Sequence, residues 1–316
     1  MPFLNERILG GLWGAAVGDA LGVPVEFLSR EELGGNPVKD MRGFGTHNQP
    51  PGTWSDDTSL MLCTVESLLG GFDTTDLGQR FVAWQGQGHW TAQGEPFDIN
   101  LATCDALLRI EAGTPPELAG GTDELSNGTG SLMRVLPIAL WRAESPMEDL
   151  LDAVHRAASL THRHPRAVMA GGYYALLLRS LHAGLPPFEA YRKAGMEFRR
   201  SYGHGQWADQ LAHFHRLLTG DLPQLPEEEI RSGGHTLHTL EAGLWCLLNT
   251  RRYTECVLRA VNLGDDTDTT GAVAGGLAGV HYGLKEVPAH WREQLARQDE
   301  MAGLFARFAE SLEKMP

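Results

Sequence analysis

The chain has little cysteine, a shortage of basic residues and almost no strand patterning, and each shortage closes off a class of protein. Its four cysteines, Cys63, Cys104, Cys246 and Cys256, show no CxxC spacing and fall in apolar, helical-looking segments. That pattern fits reduced core thiols and argues against a disulfide scaffold or a cysteine-based metal site. Lysine and arginine number 26 against 40 aspartates and glutamates, a formal charge of −14. An excess of this sign works against general binding to nucleic acid or to anionic membranes. No uncharged run of about 18 apolar residues occurs. The start, Met1-Pro2-Phe3-Leu4-Asn5-Glu6-Arg7, lacks a basic region followed by an apolar one. The expectation is a cytoplasmic chain with no membrane attachment. Alternating apolar and polar residues are scarce, so strands are not expected.

What is present is helical periodicity. With 316 residues and 42% hydrophobic content, the chain is long enough for a sizeable core, and no linker divides it, so residues 1–316 are read as one compact all-α domain. Apolar helices are expected near residues 167–181 and 236–248, separated by loops containing Pro186-Pro187, Pro223 and Pro226. Residues 30–51, rich in glycine and proline, read as an irregular loop of the kind that serves as a lid. The first helix carries Gly10, Gly14, Gly18 and Gly22 at four-residue spacing, and a late segment repeats the device with Gly271, Gly275, Gly279 and Gly283. Interior glycine costs a helix roughly 1 kcal/mol against alanine. Two such ridges therefore predict two central helices whose backbones approach closely.

Chemistry concentrates in two acidic turns. The late one, Asn262-Leu263-Gly264-Asp265-Asp266-Thr267-Asp268-Thr269-Thr270-Gly271, opens a buried-looking helix. The positive end of the helix dipole explains one tolerated carboxylate there, not three. The early one, Gly52-Thr53-Trp54-Ser55-Asp56-Asp57-Thr58, also opens a helix, with Met61, Val65, Leu68 and Leu69 at helical spacing. Each turn alone reads as a capping aspartate with solvated neighbours. Two facing helix starts of this type would supply an all-oxygen cage for divalent ions.

Together the turns resemble the ADP-ribosylglycohydrolase family, the group that contains the dinitrogenase-reductase-activating glycohydrolase. Its signatures look like Ser/Thr-Asp-Asp-Thr early and Gly-Asp-x-Asp-Thr late. The segment around Asp19 and Glu26, Gly-Asp-Ala-Leu-Gly-x-Pro-x-Glu-Phe, matches the family's opening motif, and the resemblance runs from about Ile8 to Gly283. It implies two Mg²⁺ or Mn²⁺ ions held by Ser55, Asp56, Asp57, Asp266, Asp268 and Thr269. Asp98, between apolar neighbours at a loop-to-helix boundary, reads alone as a cap. The resemblance places it beside the reacting ribose, in competition with Glu26 for the acid/base role, although Asn100-Leu101-Ala102-Thr103 departs from the family's more glycine-rich pattern. The glycine-rich turn Asn127-Gly128-Thr129-Gly130-Ser131, weak by itself because it is neither a Walker loop nor a dinucleotide fingerprint, corresponds to the family's diphosphate cradle. His162 of Thr161-His162, otherwise a capping or surface residue, corresponds to a ribose-binding histidine.

The implied activity is metal-dependent removal of ADP-ribose from a modified acceptor, with ADP-ribosyl-arginine on protein favoured. ADP-ribosyl-serine, small ADP-ribose conjugates and a non-catalytic ADP-ribose-binding role stand as alternatives. A metal-dependent phosphatase is a further rival. The expected partners are an ADP-ribosylated protein or small conjugate, no nucleic acid and no membrane, with the chain a monomer.

Overall fold

A computed structural model describes residues 2–314, and among these all regular structure is helical. In chain order the α-helices begin with α1 (Pro2–Gly22), α2 (Arg30–Gly35), α3 (Asp56–Leu68), α4 (Thr74–Gln87), α5 (Leu101–Glu111), α6 (Pro116–Ala119), α7 (Val135–Trp141) and α8 (Met147–Ser159). They continue with α9 (Pro165–His182), α10 (Pro187–Tyr202), α11 (His215–Leu218), α12 (Thr236–Leu248), α13 (Tyr253–Val261), α14 (Thr267–Tyr282), α15 (Ala289–Gln294) and α16 (Gln298–Glu313). Only isolated bridges such as Gly121–His162 and Gly128–His235 resemble sheet pairing among the described residues.

The bundle is built around α1 and α14. Both are apolar on every side, the pattern of a helix surrounded by others: Leu12, Ala16, Val17 and Leu21 of α1 and Val273, Ala274, Leu277 and Val280 of α14 are all buried. Residues 5–25 are long and apolar enough to cross a membrane, yet 94% of that stretch is buried inside the protein. The two glycine ridges meet. A Cβ on Gly10 would stand 2.3 Å from the Gly279 carbonyl oxygen, one on Gly14 2.4 Å from that of Gly275, and one on Gly18 2.0 Å from that of Gly271. Tyr253 of α13 donates to the Gly14 carbonyl at 2.8 Å, and Thr267 donates to the Gly22 carbonyl at 2.8 Å. Around this pair pack α3 and α16 on the α1 side, and α9, α12 and α13 on the α14 side.

Two local expectations need correction. Residues 30–51 are not wholly irregular: Ser29 and Glu32 form a reciprocal capping box that starts α2, and residues Gly45–His47 make a 3-10 turn. The Pro186-Pro187 pair does not mark a loop but the start of α10, where Pro187 takes the first helical position and loses no hydrogen bond by lacking an N–H. The glycine-rich turn at residues 127–131 runs on into α7. A tight turn closed by Leu132 N–H donating to the Thr129 carbonyl at 2.7 Å intervenes before the helix starts at Val135.

Candidate active site

The crossing of α1 and α14 ends at the acidic turns. Gly22 is so close to α14 that a Cβ there would lie 2.4 Å from Cα of Asp268. One turn earlier on α1, buried Asp19 accepts from Ser55 N–H at 3.0 Å, Thr58 N–H at 3.0 Å and Thr58 Oγ1 at 2.6 Å. A carboxylate from one helix thus satisfies the orphan donors at the start of another. Ser55 is the N-cap of α3, its Oγ accepting from Asp57 N–H at 3.3 Å, which leaves Asp56 and Asp57 in the first turn. Asp266 occupies the N-cap position of α14 and Asp268 its first turn. Asp265 is exposed, and its backbone exchanges hydrogen bonds with Phe27 and Leu28, which fastens the segment carrying Glu26 over the late turn.

The two acidic turns and Glu26 therefore converge. Carboxylate oxygens of Glu26, Asp266 and Asp268 lie within 4.8 Å of one another. Both Asp268 oxygens and Oδ2 of Asp57 are buried without any hydrogen-bond donor. Uncompensated buried carboxylate oxygens are costly, and packing several in contact multiplies the cost. Burial first, and then neighbouring carboxylates with Asp268 the foremost, push Glu26 and Asp98 each up to about 10 and Asp266 up to about 8. Asp19 rises only to about 7, because its three donors oppose burial and the Asp268 charge. Asp56 and Asp57 are also raised well above the usual range, again by burial first. A donor set made of oxygens, buried and unpartnered, fits a hard divalent cation. Ser55 is the one proposed ligand whose side chain is already occupied in capping, although its oxygen keeps a free lone pair.

The turns form one wall of a cleft of 1110 Å³. Glu26, Asp56, Asp57, Asp98, Asp266 and Thr269 line it from one side, and Gly128, Thr129, Gly130 and His162 from the other. Asp98 is not a cap. Asn100 caps α5 through its Oδ1, which accepts from Thr103 N–H at 2.8 Å, and Asp98 sits ahead of it with φ +58°. Phe27 and Asp265, also lining the cleft, share that left-handed conformation at φ +66° and +60°. Non-glycine residues held there cost energy and concentrate where geometry serves a site.

On the opposite wall Gly130 admits no side chain, since a Cβ would lie 2.5 Å from Nδ2 of Asn100 and 3.1 Å from the His162 ring. Asn127 and Ser131 lie beneath the surface, with Oδ1 and Oγ respectively lacking partners. Thr129 Oγ1 donates to Asp266 at 3.4 Å, linking the two walls. The protonation of His162 follows from its neighbours. Arg134, always a donor, gives a hydrogen bond to Thr161 Oγ1 at 2.8 Å, so the Thr161 hydroxyl proton is free to go to His162 Nδ1 at 2.7 Å. The ring proton then resides on Nε2, which is buried, unpartnered and close to Gly128. Burial, and then Arg134, push His162 down to about 3, so it stays a neutral donor at physiological pH.

Two residues of this arrangement were not anticipated. His47 contacts Glu26 directly through Nε2 and lies 4.0 Å from Asp98. It is flanked by the rings of Phe27 and Phe97 at 6.0 and 5.2 Å. No periodicity marks a lone histidine in a glycine-rich loop. Arg134 is fully buried between Phe81 and the α8 carboxyl end. The signal for it was available: one arginine within the apolar run from Leu132 to Leu140.

Known proteins resemble this chain over most of its length. The ADP-ribosylglycohydrolase family pattern matches residues 1–315. ADP-ribosylarginine hydrolase Tri1 of Pseudomonas putida (strain GB-1) is 33% identical over 296 residues, covering 92% of this chain and 74% of that protein. The ADP-ribosyl-[dinitrogen reductase] glycohydrolase of Rhodospirillum rubrum is 31% identical over 300 residues, covering 93% and 92%. A solved structure described as an ADP-ribosylglycohydrolase-related protein complex superposes with a TM-score of 0.82 at 36% identity, covering 98% of this chain and 99% of that one. With a helical bundle that closes on paired acidic turns and a match of this extent, the chain belongs to the ADP-ribosylglycohydrolase family.

Proposed function

We propose that this enzyme removes ADP-ribose from arginine side chains of modified proteins, cleaving the bond between the ribose anomeric carbon and the guanidinium nitrogen. The observation that carries the proposal is the buried Glu26–Asp266–Asp268 cluster, with both Asp268 oxygens unpartnered and with Glu26 and Asp266 lining a cleft large enough for a dinucleotide-sized ligand. The two relatives named as ADP-ribosylarginine hydrolases favour arginine over serine as acceptor.

Asp56, Asp57, Asp266, Asp268 and Thr269, with Ser55 behind them, would hold two Mg²⁺ or Mn²⁺ ions. When bound, such ions supply charge that orients ribose hydroxyls and acidifies a water. The chain's own residues do the rest. Gly128 and Gly130 let the diphosphate approach the backbone, and Asn127 and Ser131 keep unpartnered polar atoms beneath it. His162 Nε2–H donates to a ligand oxygen across Gly128. Asp98, freed from capping by Asn100, handles the proton as the bond breaks, and Glu26, steadied by His47, is the alternative acid/base.

Incubating the protein with Mg²⁺ or Mn²⁺ and defined arginine, serine and small-molecule ADP-ribose conjugates tests the assignment. Release of ADP-ribose from the arginine conjugate at more than tenfold the rate of the others is expected. Preference for serine would overturn the acceptor, and binding of ADP-ribose without turnover of any conjugate would overturn the enzyme reading. We further propose that the chain acts as a monomer in the cytoplasm.

A further inference from the structure

Behind the glycine-rich wall of the cleft lies a second cavity of 330 Å³ whose chemistry is the reverse of the first. Arg166, Arg216, Arg231, His213, His235 and His238 face it, with Glu241 as the one carboxylate among the lining residues. In a chain of formal charge −14, such a concentration is local, not a reflection of composition.

The existing partners do not exhaust it. Arg216 pairs with Glu241 at 2.7 Å and with Glu229 at 3.9 Å, and Arg166 reaches outward to exposed Glu124 at 3.0 Å and to Gln210 at 3.1 Å, which leaves Arg231 and the imidazoles. Arg231 makes no ion pair among the described residues. The histidines are set as donors by their contacts. Nδ1 of His235 accepts from Leu237 N–H at 3.2 Å, so its proton resides on Nε2, and His213 Nε2 accepts from Arg166 at 3.0 Å, so its proton resides on Nδ1. His235 is the N-cap of the thirteen-residue helix α12, whose dipole adds positive potential at the same place. The rings of His235 and His238 stand 5.0 Å apart. Cationic groups crowded this way repel one another, as the depression of His235 to about 4 by burial and then by His238 and Arg166 reflects.

We infer that this cavity is a binding site for a small multiply charged oxyanion, inorganic phosphate or a small phosphate monoester, separate from the catalytic cleft. Guanidinium groups match phosphate oxygens in pairs, and imidazole N–H groups complete the shell. The volume lies at the lower end of the range for ligand cavities, which suits a phosphate with a small substituent and excludes a dinucleotide. The site also touches the cleft from behind. Arg166 holds Glu124, which accepts from Asn127, and Thr236 N–H donates to the Asn127 carbonyl at 3.0 Å. Ser232, next to Arg231, accepts from Asp266 N–H at 3.1 Å.

The test is calorimetric titration of the full chain with inorganic phosphate, and separately with phenyl phosphate, at constant ionic strength, with and without saturating ADP-ribose. The same titrations are run on Arg231→Gln and on Arg231→Gln/His238→Gln. Neither side chain forms an ion pair, so both variants should keep the wild-type Tm and near-ultraviolet circular dichroism. One phosphate site that persists with ADP-ribose present, and weakens at least tenfold in the double variant, is expected. Tighter binding of phenyl phosphate would identify a monoester as the ligand, and tighter binding of phosphate the free ion. Absence of binding, equal binding in wild type and double variant, or complete displacement by ADP-ribose would each overturn the inference. If ADP-ribose itself does not bind, the reading of the cleft fails and the variants still decide this site.

Discussion

The same substitution, glycine to alanine inside a helix, should have opposite effects at Gly18 and at Gly303. Gly303 lies in α16, exposed, with nothing within 4 Å of an added Cβ. There alanine brings only its helical preference, roughly 1 kcal/mol. At Gly18 the same preference is overwhelmed, because the new methyl would lie 2.0 Å from the Gly271 carbonyl oxygen where ordinary contact begins at 3.4 Å. Neither partner is a side chain that swings aside, so α1 and α14 must separate by more than an ångström along the ridge. Overpacking of this kind costs about 1–3 kcal/mol. The loss of contact at Gly10, Gly14 and Gly22 places it at the upper end, for a net destabilisation of about 2 kcal/mol. With an unfolding entropy of about 2.1 cal/mol/K per residue over 316 residues, that is a drop in Tm of about 3 °C for Gly18→Ala and a rise of 1–2 °C for Gly303→Ala. Because the ridge ends where Gly22 meets Asp268, Gly18→Ala should also weaken Mn²⁺ binding measured by calorimetry, while Gly303→Ala leaves it unchanged. A Gly18→Ala protein as stable as the wild type, with unaltered Mn²⁺ affinity, would refute close backbone packing as the device that sets the site.

The metal-free protein should lose stability as pH rises. Glu26, Asp98, Asp266 and Asp19 hold protons in the folded state up to about 10, 10, 8 and 7, whereas the unfolded chain gives them up near pH 4, so the stability these four groups contribute is full below about pH 4 and declines toward alkaline pH. Melting in chelator at about pH 5.5 and pH 8 checks this, and Mg²⁺ or Mn²⁺ should raise Tm more at the higher pH, by about 4 °C at a hundredfold excess over Kd; a flat chelated profile would refute it. Asp57→Ala and Asp268→Asn should each abolish turnover yet melt no lower than wild type in chelator, since each removes a repelling charge, and retained turnover in either would count against the cage. Asp98→Asn should keep ADP-ribose and metal binding while losing roughly 10²- to 10⁴-fold in kcat, with Glu26→Gln milder on an arginine conjugate; the reverse ranking would exchange their roles.

Much of this was legible because it is written in spacing. Four-residue glycine intervals encode a helix face and therefore survive as contacts whatever else the fold does. Acidic pairs ahead of helical periodicity mark two helix starts in the same way. What escaped notice depends on neighbours distant in sequence. His47 matters only because the loop carrying it folds over Glu26, 21 residues earlier. α10 was hidden by Pro187, a residue that breaks a helix anywhere but in its first turn. The basic cavity is assembled from residues 166, 213, 216, 231, 235 and 238, drawn from three separate stretches of the chain, so no single window of sequence contains it.

The cage and the glycine ridges are parts of one design. A group of buried carboxylates in contact tends to fly apart, and a loop-borne cluster would relax by turning side chains to water. Here the relaxation is blocked. Gly22 fixes α1 against the backbone of Asp268, and Asp19, on the next residue after ridge glycine Gly18, reaches across to cap α3 with three of its donors. The start of α3 is therefore indexed to the start of α14 through a rigid helix, not through a loop. Repulsion among Asp56, Asp57, Asp266 and Asp268 is stored in a frame whose backbones are already at van der Waals limit and cannot part cheaply. Protons discharge it at low pH and a cation does so above, and the frame that costs the helices seven alanines' worth of propensity, Gly283 lying past the end of α14, is what keeps the oxygens where that cation is needed.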